Sequence, residues 1–329
     1  MIKTDLAVEV RGIHKAFDKV VALDDVGFDV AYGEVIGLLG PNGAGKTTIV
    51  DILSTLMRPD SGSAAVAGYN VVSDPAGVRR SIMVTGQQVA VDNLLTGEQN
   101  LVLFGRLYGL RKSAARNRAQ ELLQQFDLVH AAERPVRTYS GGMRRRIDIA
   151  CGLVVQPRVA FLDEPTTGLD PRSRQSIWRL VASFKKLGIA TVLTTQYLEE
   201  ADALTDRIVL IDQGKVITTG TASELKHRVG DSFCEIVPKD IARIDSIVAA
   251  VDAMLPAHNR ASLKAESDRV IVPAPHGVNT LIEAARRMAE LNIDLADLAL
   301  RRPSLDDVFL SLTANPSESL SVMSSGVNQ

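Results

Sequence analysis

Apolar positions over residues 1 to about 225 fall into short, strand-length blocks separated by longer stretches with helical spacing, and that alternation predicts an α/β core. Residues 8–10 and 20–30 read as strands, the latter interrupted by Asp24 and Asp25. Residues 35–39 are apolar throughout, as suits a strand buried on both faces. They run directly into Gly40, Pro41, Asn42 and Gly43, after which Ile49, Ile52, Leu53 and Leu56 recur at helical spacing until Pro59 and Gly62. Residues 94–128 are mostly helical. Residues 159–162 and 190–193 are two further buried strands, joined by a helix carrying Ile177, Leu180, Val181 and Phe184. Residues 208–211 and 216–219 flank Asp212-Gln213-Gly214-Lys215, a hairpin signal.

From about residue 231 the order changes to strand (233–237), helix (241–254), two strands (261–264 and 269–272), helix (278–291) and strand (295–300). A last short helix opens at Ser304-Leu305-Asp306-Asp307. This succession predicts a small α+β domain of the ferredoxin-like, split βαβ kind. The expected organisation is therefore an α/β domain over 1–230, a small α+β domain over 231–314, and a Ser-rich tail over 315–329 expected to be disordered.

Composition narrows the class. With 329 residues, 46% hydrophobic and 23% charged, the chain can build two cores. A net charge of −2 gives no electrostatic reason to expect nucleic acid as a partner. Two cysteines, Cys151 and Cys234, are too few for a disulfide framework and suit a reducing cytoplasm. Residues 1–11 carry Asp5 and Glu9 and lack the apolar core of a secretory signal. Apolar runs such as 35–39 and 149–155 are far short of a membrane span, so any membrane role is expected to come through a partner.

Three stretches carry chemistry. Gly40-Pro41-Asn42-Gly43-Ala44-Gly45-Lys46-Thr47 fits G-x-x-x-x-G-K-[ST] between a buried strand and a helix. Glycines let backbone N–H groups close around phosphates, and the helix N-terminus favours the anion. Lys46 is expected to reach the β- and γ-phosphates, and the Thr47 hydroxyl to ligate Mg²⁺; Thr48 follows in the same loop-to-helix junction. Asp163 and Glu164 end the apolar run 159–162, at the strand edge where open α/β sheets bind ligands. Asp163 is the expected Mg²⁺ holder and Glu164 the general base toward water. Ser140-Gly141-Gly142-Met143 precedes a helix whose Ile147, Ala150, Cys151 and Val154 form one apolar stripe, making a second anion-binding helix start. One nucleotide rarely needs both ends from one subunit, so two copies facing head to tail are expected.

In this order, the phosphate loop, Tyr139-Ser140-Gly141-Gly142-Met143 and Phe161-Leu162-Asp163-Glu164-Pro165-Thr166-Thr167-Gly168-Leu169-Asp170 resemble an ABC ATPase over residues 5–225. The resemblance implies a mixed sheet core with a helical subdomain, and an ATP-dependent homodimer holding each ATP between the loop of one copy and the Ser-Gly-Gly of the other. It implies further that Phe17 stacks on adenine, that Gln87 touches Mg²⁺ and senses a membrane subunit, and that Asp170 lies in the loop crossing the dimer. Two positions depart from the family: Gln196 stands where a histidine is common, and Tyr139 where leucine is usual. Gln196 can donate an amide hydrogen bond to a γ-phosphate but carries no charge.

Over the chain to about residue 314, Thr85-Gly86-Gln87, the stretch 194–202 and Arg301-Arg302-Pro303-Ser304-Leu305-Asp306-Asp307-Val308-Phe309 resemble the ATP-binding subunits of daunorubicin/doxorubicin-resistance exporters, actinobacterial members included. Within that group Gln in place of His is usual. The resemblance implies ATP-driven efflux of a hydrophobic drug or of a complex lipid such as phthiocerol dimycocerosate. The work would be done through separate integral membrane permease subunits, with this chain at the cytoplasmic face. The alternative is a soluble ABC ATPase acting on ribosomes or nucleic acid; such proteins usually carry two ATPase units or a coiled-coil insertion, and neither pattern is present. Arg144-Arg145-Arg146 reads as a solvated first turn, and Trp178 as core or interface.

Overall fold

The computed structural model describes residues 6–86, 89–229, 232–255 and 263–313. The chain divides into two compact units, Met1–Ala222 and Ser223–Gln329. The first unit contains, in chain order, β1 (Leu6–Phe17), β2 (Val20–Ala31), β3 (Val35–Leu39), α1 (Lys46–Leu53), β4 (Ser61–Val66), β5 (Tyr69–Asn70), α2 (Pro75–Ser81), β6 (Ile82–Thr85), α3 (Gly97–Leu107) and α4 (Lys112–Gln125). It continues with α5 (Gly141–Gly152), β7 (Val159–Asp163), α6 (Pro171–Lys186), β8 (Ala190–Thr195), α7 (Leu198–Leu204), β9 (Arg207–Asp212) and β10 (Lys215–Gly220).

Two sheets carry this unit. One is antiparallel, in the order β2-β1-β4-β5; the other has the order β10-β9-β3-β8-β7-β6. In the second sheet β9, β3, β8, β7 and β6 are parallel neighbours and β10 returns antiparallel, so the sheet is mixed. The continuous apolar runs exist because this sheet is covered on both faces. Phe161 joins one core with the antiparallel sheet and α1, while its neighbour Leu162 joins a second core with the helices α3 to α6. Register places Leu39 beside Thr195 and Asp163 beside Thr194, so the C-terminal ends of β3, β7 and β8 meet at one edge.

Two local differences from the sequence expectation have clear causes. Asp24 and Asp25 do not break a strand; Asp25 takes φ 55° opposite Gly12 at φ 57°, and the register slips between Val10 and Ile13. The carboxylates thus sit at a bulge within one strand. The helical stretch 94–128 is two helices, the first opened by a reciprocal Thr96–Gln99 capping box and followed by a turn at Gly109, φ 87°. The β9–β10 hairpin turns through Gln213 and Gly214, both at positive φ.

The second unit holds α8 (Ala222–Val229), β11 (Phe233–Pro238), α9 (Ile244–Asp252), β12 (Lys264–Ala265), β13 (Val270–Pro273), α10 (Val278–Glu290), β14 (Leu295–Arg301) and α11 (Leu305–Thr313). Its sheet order is β12-β13-β11-β14 with every neighbouring pair antiparallel, the order and direction of a ferredoxin-like split βαβ unit. Cys234, Ile236, Ile247, Val251, Ala284 and Met288 bind sheet to helices in a separate core. Ser304 caps α11 by accepting the Asp307 N–H at 3.1 Å. The division between the units falls at Ala222, and Ser223, Lys226 and His227 of α8 line a cleft with Ser232, Arg302 and Pro303 within the second unit. The expected tail, 315–329, lies outside the described residues. Among the described residues no helix is long and apolar enough to cross a membrane.

Candidate functional site

The loop from Gly40 to Gly45 joins β3 to α1, and its conformation requires glycine. A Cβ on Gly40 would lie 2.1 Å from the Ile211 carbonyl oxygen, and Gly45, the residue capping α1, takes φ 105°. Gly43 is also left-handed, at φ 82°, and the Ala44 N–H donates back to the Pro41 carbonyl at 3.2 Å. Asn42 is exposed at the tip and Thr48 half-buried in the first turn of α1. A loop of amides leading into a helix start is an anion nest. Lys46 curls over it, donating to the Gly40 and Pro41 carbonyls at 2.8 and 2.9 Å. Burial pushes its ammonium pKa down, opposed by the negative charges of Glu164 and Asp163.

The Thr47 hydroxyl donates to Asp163 Oδ2 at 3.2 Å, although 116 residues separate them. Thr194, on the neighbouring strand, donates from Oγ1 to Asp163 Oδ1. A hydroxyl and a buried carboxylate converging at the mouth of a phosphate loop are hard oxygen donors of the kind Mg²⁺ takes. Glu164 follows at φ 46°, a left-handed conformation that favours glycine. It is held by its own N–H donating to Thr194 Oγ1 at 2.9 Å and by the Thr167 hydroxyl donating to Oε2 at 3.1 Å.

The remaining expected residues surround this group at varying distance. Ser140 caps α5 by accepting the Met143 N–H at 3.3 Å, and Gly141 shares a cleft with Glu164, Thr167 and Gly168, while Gly142 is buried with Ser173 Oγ 2.3 Å from where its Cβ would stand. Asp170 caps α6, accepting the Arg172 and Ser173 N–H groups at 3.0 and 3.1 Å and the Ser173 hydroxyl at 2.6 Å; these bonds hold its carboxyl below the usual range. Gln196 is exposed one residue beyond β8. Phe17, at the end of β1, is 45% exposed, with the Lys15 ammonium over its ring 5.6 Å from the centroid. Gln87 lies outside the described residues.

Arg145 corrects the reading of 144–146 as a solvated turn. It is 5% exposed, and its guanidinium donates to the carbonyls of Asp163 (3.0 Å), Pro165 (2.9 Å) and Gly86 (2.7 Å). Asp148, one helical turn on, faces it at 3.5 Å. Burial lowers the Arg145 pKa and raises that of Asp148. Arg144 and Arg146 are tied to main-chain carbonyls of Arg137 and Phe126. A second buried carboxylate, Glu200 of α7, accepts from the Thr166 hydroxyl at 2.9 Å and Trp178 Nε1 at 3.0 Å, joining α6 and α7 to the segment after Glu164. The i to i+3 spacing of Arg145 and Asp148 on a helix marks a side-chain pair in the sequence but carries no sign of its burial.

A model of the ABC transporter family matches residues 23–167. The chain belongs to this family, as an ATP-binding and ATP-hydrolysing member. It is 72% identical over 328 residues, 99% of each chain, to the doxorubicin resistance ATP-binding protein DrrA of Mycobacterium tuberculosis. It is 50% identical to the daunorubicin resistance ATP-binding protein DrrA2 of Streptomyces coeruleorubidus, over 95% of this chain and 96% of that one. Among solved structures, a dimer of the ATP-binding cassette MJ0796 in a post-hydrolysis state, bound to ADP and Pi, superposes with a TM-score of 0.59. That match has 25% identity and covers 65% of this chain and 98% of the other.

Proposed function

We propose that the chain is the energy-coupling subunit of an exporter, with two copies closing on ATP beneath separate membrane permease subunits at the cytoplasmic face of the membrane. The cargo on this reading is a hydrophobic drug or a complex lipid. Its drug half rests on the relatives named for doxorubicin and daunorubicin resistance. The lipid half and the permease rest on the resemblance drawn from the sequence.

The observation that carries the site assignment is the meeting of Thr47, Asp163 and Glu164 at the C-terminal edge of one sheet, beside Lys46. Thr47 and Asp163 would hold Mg²⁺, together with Gln87; the ion, when bound, neutralises charge on the phosphates. Residues 40–48 bind the phosphates, and Lys46, released from the Gly40 and Pro41 carbonyls, pairs with them. Glu164 holds the attacking water and takes its proton. Gln196 donates to the γ-phosphate, Phe17 stacks on adenine, and Ser140, Gly141 and Gly142 with Asp170 serve the second copy. The domain over 231–314 braces the dimer or regulates it.

Glu164→Gln keeps the shape and the binding groups and removes the base. Its ATP turnover should fall by about 10²–10⁴-fold while ATP affinity is retained. A pull-down of that variant with ATP from its native membranes should recover a multi-span membrane protein in stoichiometric amount. Unchanged turnover would overturn the assignment of the base, and recovery of ribosomes or nucleic acid would overturn the exporter.

A further inference from the structure

Glu164 sits in a left-handed backbone conformation, φ 46°, which a side chain at this position adopts only when its surroundings impose it. The Thr194 side chain fixes its N–H. The flanking carbonyls, of Asp163 and Pro165, are both gripped by one group, the Arg145 guanidinium, at 3.0 and 2.9 Å. The same guanidinium reaches Gly86, and Asp148 Oδ1 accepts the Ala90 N–H at 2.8 Å, so the pair also holds both ends of the segment that carries Gln87. Among the described residues Asp148 Oδ2 makes no hydrogen bond and faces the guanidinium alone.

A buried ion pair is an expensive way to fill space: apolar side chains of similar volume pack there at no desolvation cost. What the pair supplies instead is direction. The planar fork of arginine presents donors at fixed angles to three main-chain carbonyls, which lysine or methionine cannot do. Its anchor, α5, begins at the Ser140 cap, so one rigid helix carries the Ser-Gly-Gly end, the grip on Glu164 and the grip on residues 86–90.

We propose that the Arg145–Asp148 pair is a strut that positions Glu164 for water activation and makes its placement follow any displacement of residues 86–90. Arg145 acts through the backbone of Glu164 and is a positioning residue. The inference rests on Glu164 as the base, and its link to a membrane partner rests on the role proposed for Gln87.

The test uses the full chain with Arg145→Met, Arg145→Lys and Asp148→Asn. Three readouts are taken: steady-state ATP hydrolysis, equilibrium binding of a fluorescent ATP analogue, and amide hydrogen exchange by mass spectrometry. Arg145→Met should lower kcat by about 30-fold or more, as a misplacement near 1 Å does, with KM and analogue affinity within about threefold. Faster exchange should be confined to residues 86–90 and 163–167. Arg145→Lys should recover part of kcat, and Asp148→Asn, nearly isosteric, should loosen 86–90 with a smaller loss. Unchanged kcat in Arg145→Lys and Asp148→Asn, or parallel loss of kcat, affinity and protection throughout the unit, would overturn the strut. The two assumptions are read separately: full turnover in Glu164→Gln sinks the base while leaving the exchange pattern to judge the strut.

Discussion

Tyr139 stands immediately before the Ser-Gly-Gly turn, where the family resemblance implies leucine, and its surroundings are built for the larger ring. It is 4% exposed, its hydroxyl donates to the Ala131 carbonyl at 2.7 Å, and Gly97 leaves room for it: a Cβ there would lie 2.3 Å from the phenol oxygen. Burial raises the phenol pKa, so the group stays a neutral donor at physiological pH. The hydroxyl therefore belongs to the packing of the helical layer and not to the nucleotide. Tyr139→Phe removes this hydrogen bond while the Ala131 carbonyl keeps the Arg134 N–H at 3.0 Å, a loss of about 1 kcal/mol. The melting temperature should drop by about 2–4 °C with ATP affinity unchanged, measured by calorimetry and by nucleotide titration. A change in affinity without a change in melting would place the hydroxyl in the binding site instead.

At the scale of elements, α6 shows how one side chain serves structure and interface together. Asp170 satisfies two free N–H groups at the start of the helix, and Pro171 occupies the first helical position, where its missing N–H costs nothing. Asp170→Asn keeps the cap and removes the charge; Asp170→Ala removes both. The alanine variant should lose about 1 kcal/mol of stability and the asparagine variant much less, read as melting temperatures. If the charge is what the second copy meets, both variants should weaken ATP-dependent dimerisation equally in a sedimentation assay. Elements such as β3, β7 and α6 are legible in the sequence because a strand buried on both faces and a capped amphipathic helix each leave a local pattern. The phosphate loop and Asp163-Glu164 are legible because their chemistry is local as well. Arg145 is not, since a run of three arginines has the composition of a wet surface and only the approach of residues 86 and 163–165 buries the middle one. The bulge at Asp25 is hidden for a related reason: carboxylates interrupt an apolar run identically whether a strand ends or merely kinks.

For the molecule as a whole, the separation of the cores is what decides how far the two units depend on each other. The two cores of the first unit draw on residues between Ala7 and Ile211, and the core of the second begins at Cys234, with no buried side chain shared between these clusters among the described residues. Units with private cores fold on their own terms. A chain ending at residue 222, where the first unit ends, should therefore fold cooperatively and bind ATP within about threefold of the full-length affinity, because residues 40–48, 163–164 and 196 and the strands beneath them are all present. If the second unit braces the dimer, the same truncation should weaken ATP-dependent dimerisation of the Glu164→Gln variant by about tenfold or more. That loss would be seen as a rise in the concentration at which the dimer forms, since removing any interface contact worth about 1.4 kcal/mol has that effect. Equal dimerisation with and without residues 223–329 would assign the second unit to regulation, and its effect would then be sought in the rate of turnover. Loss of ATP binding on truncation would mean that the first unit cannot hold its phosphate loop in place without the second, which the separate cores argue against.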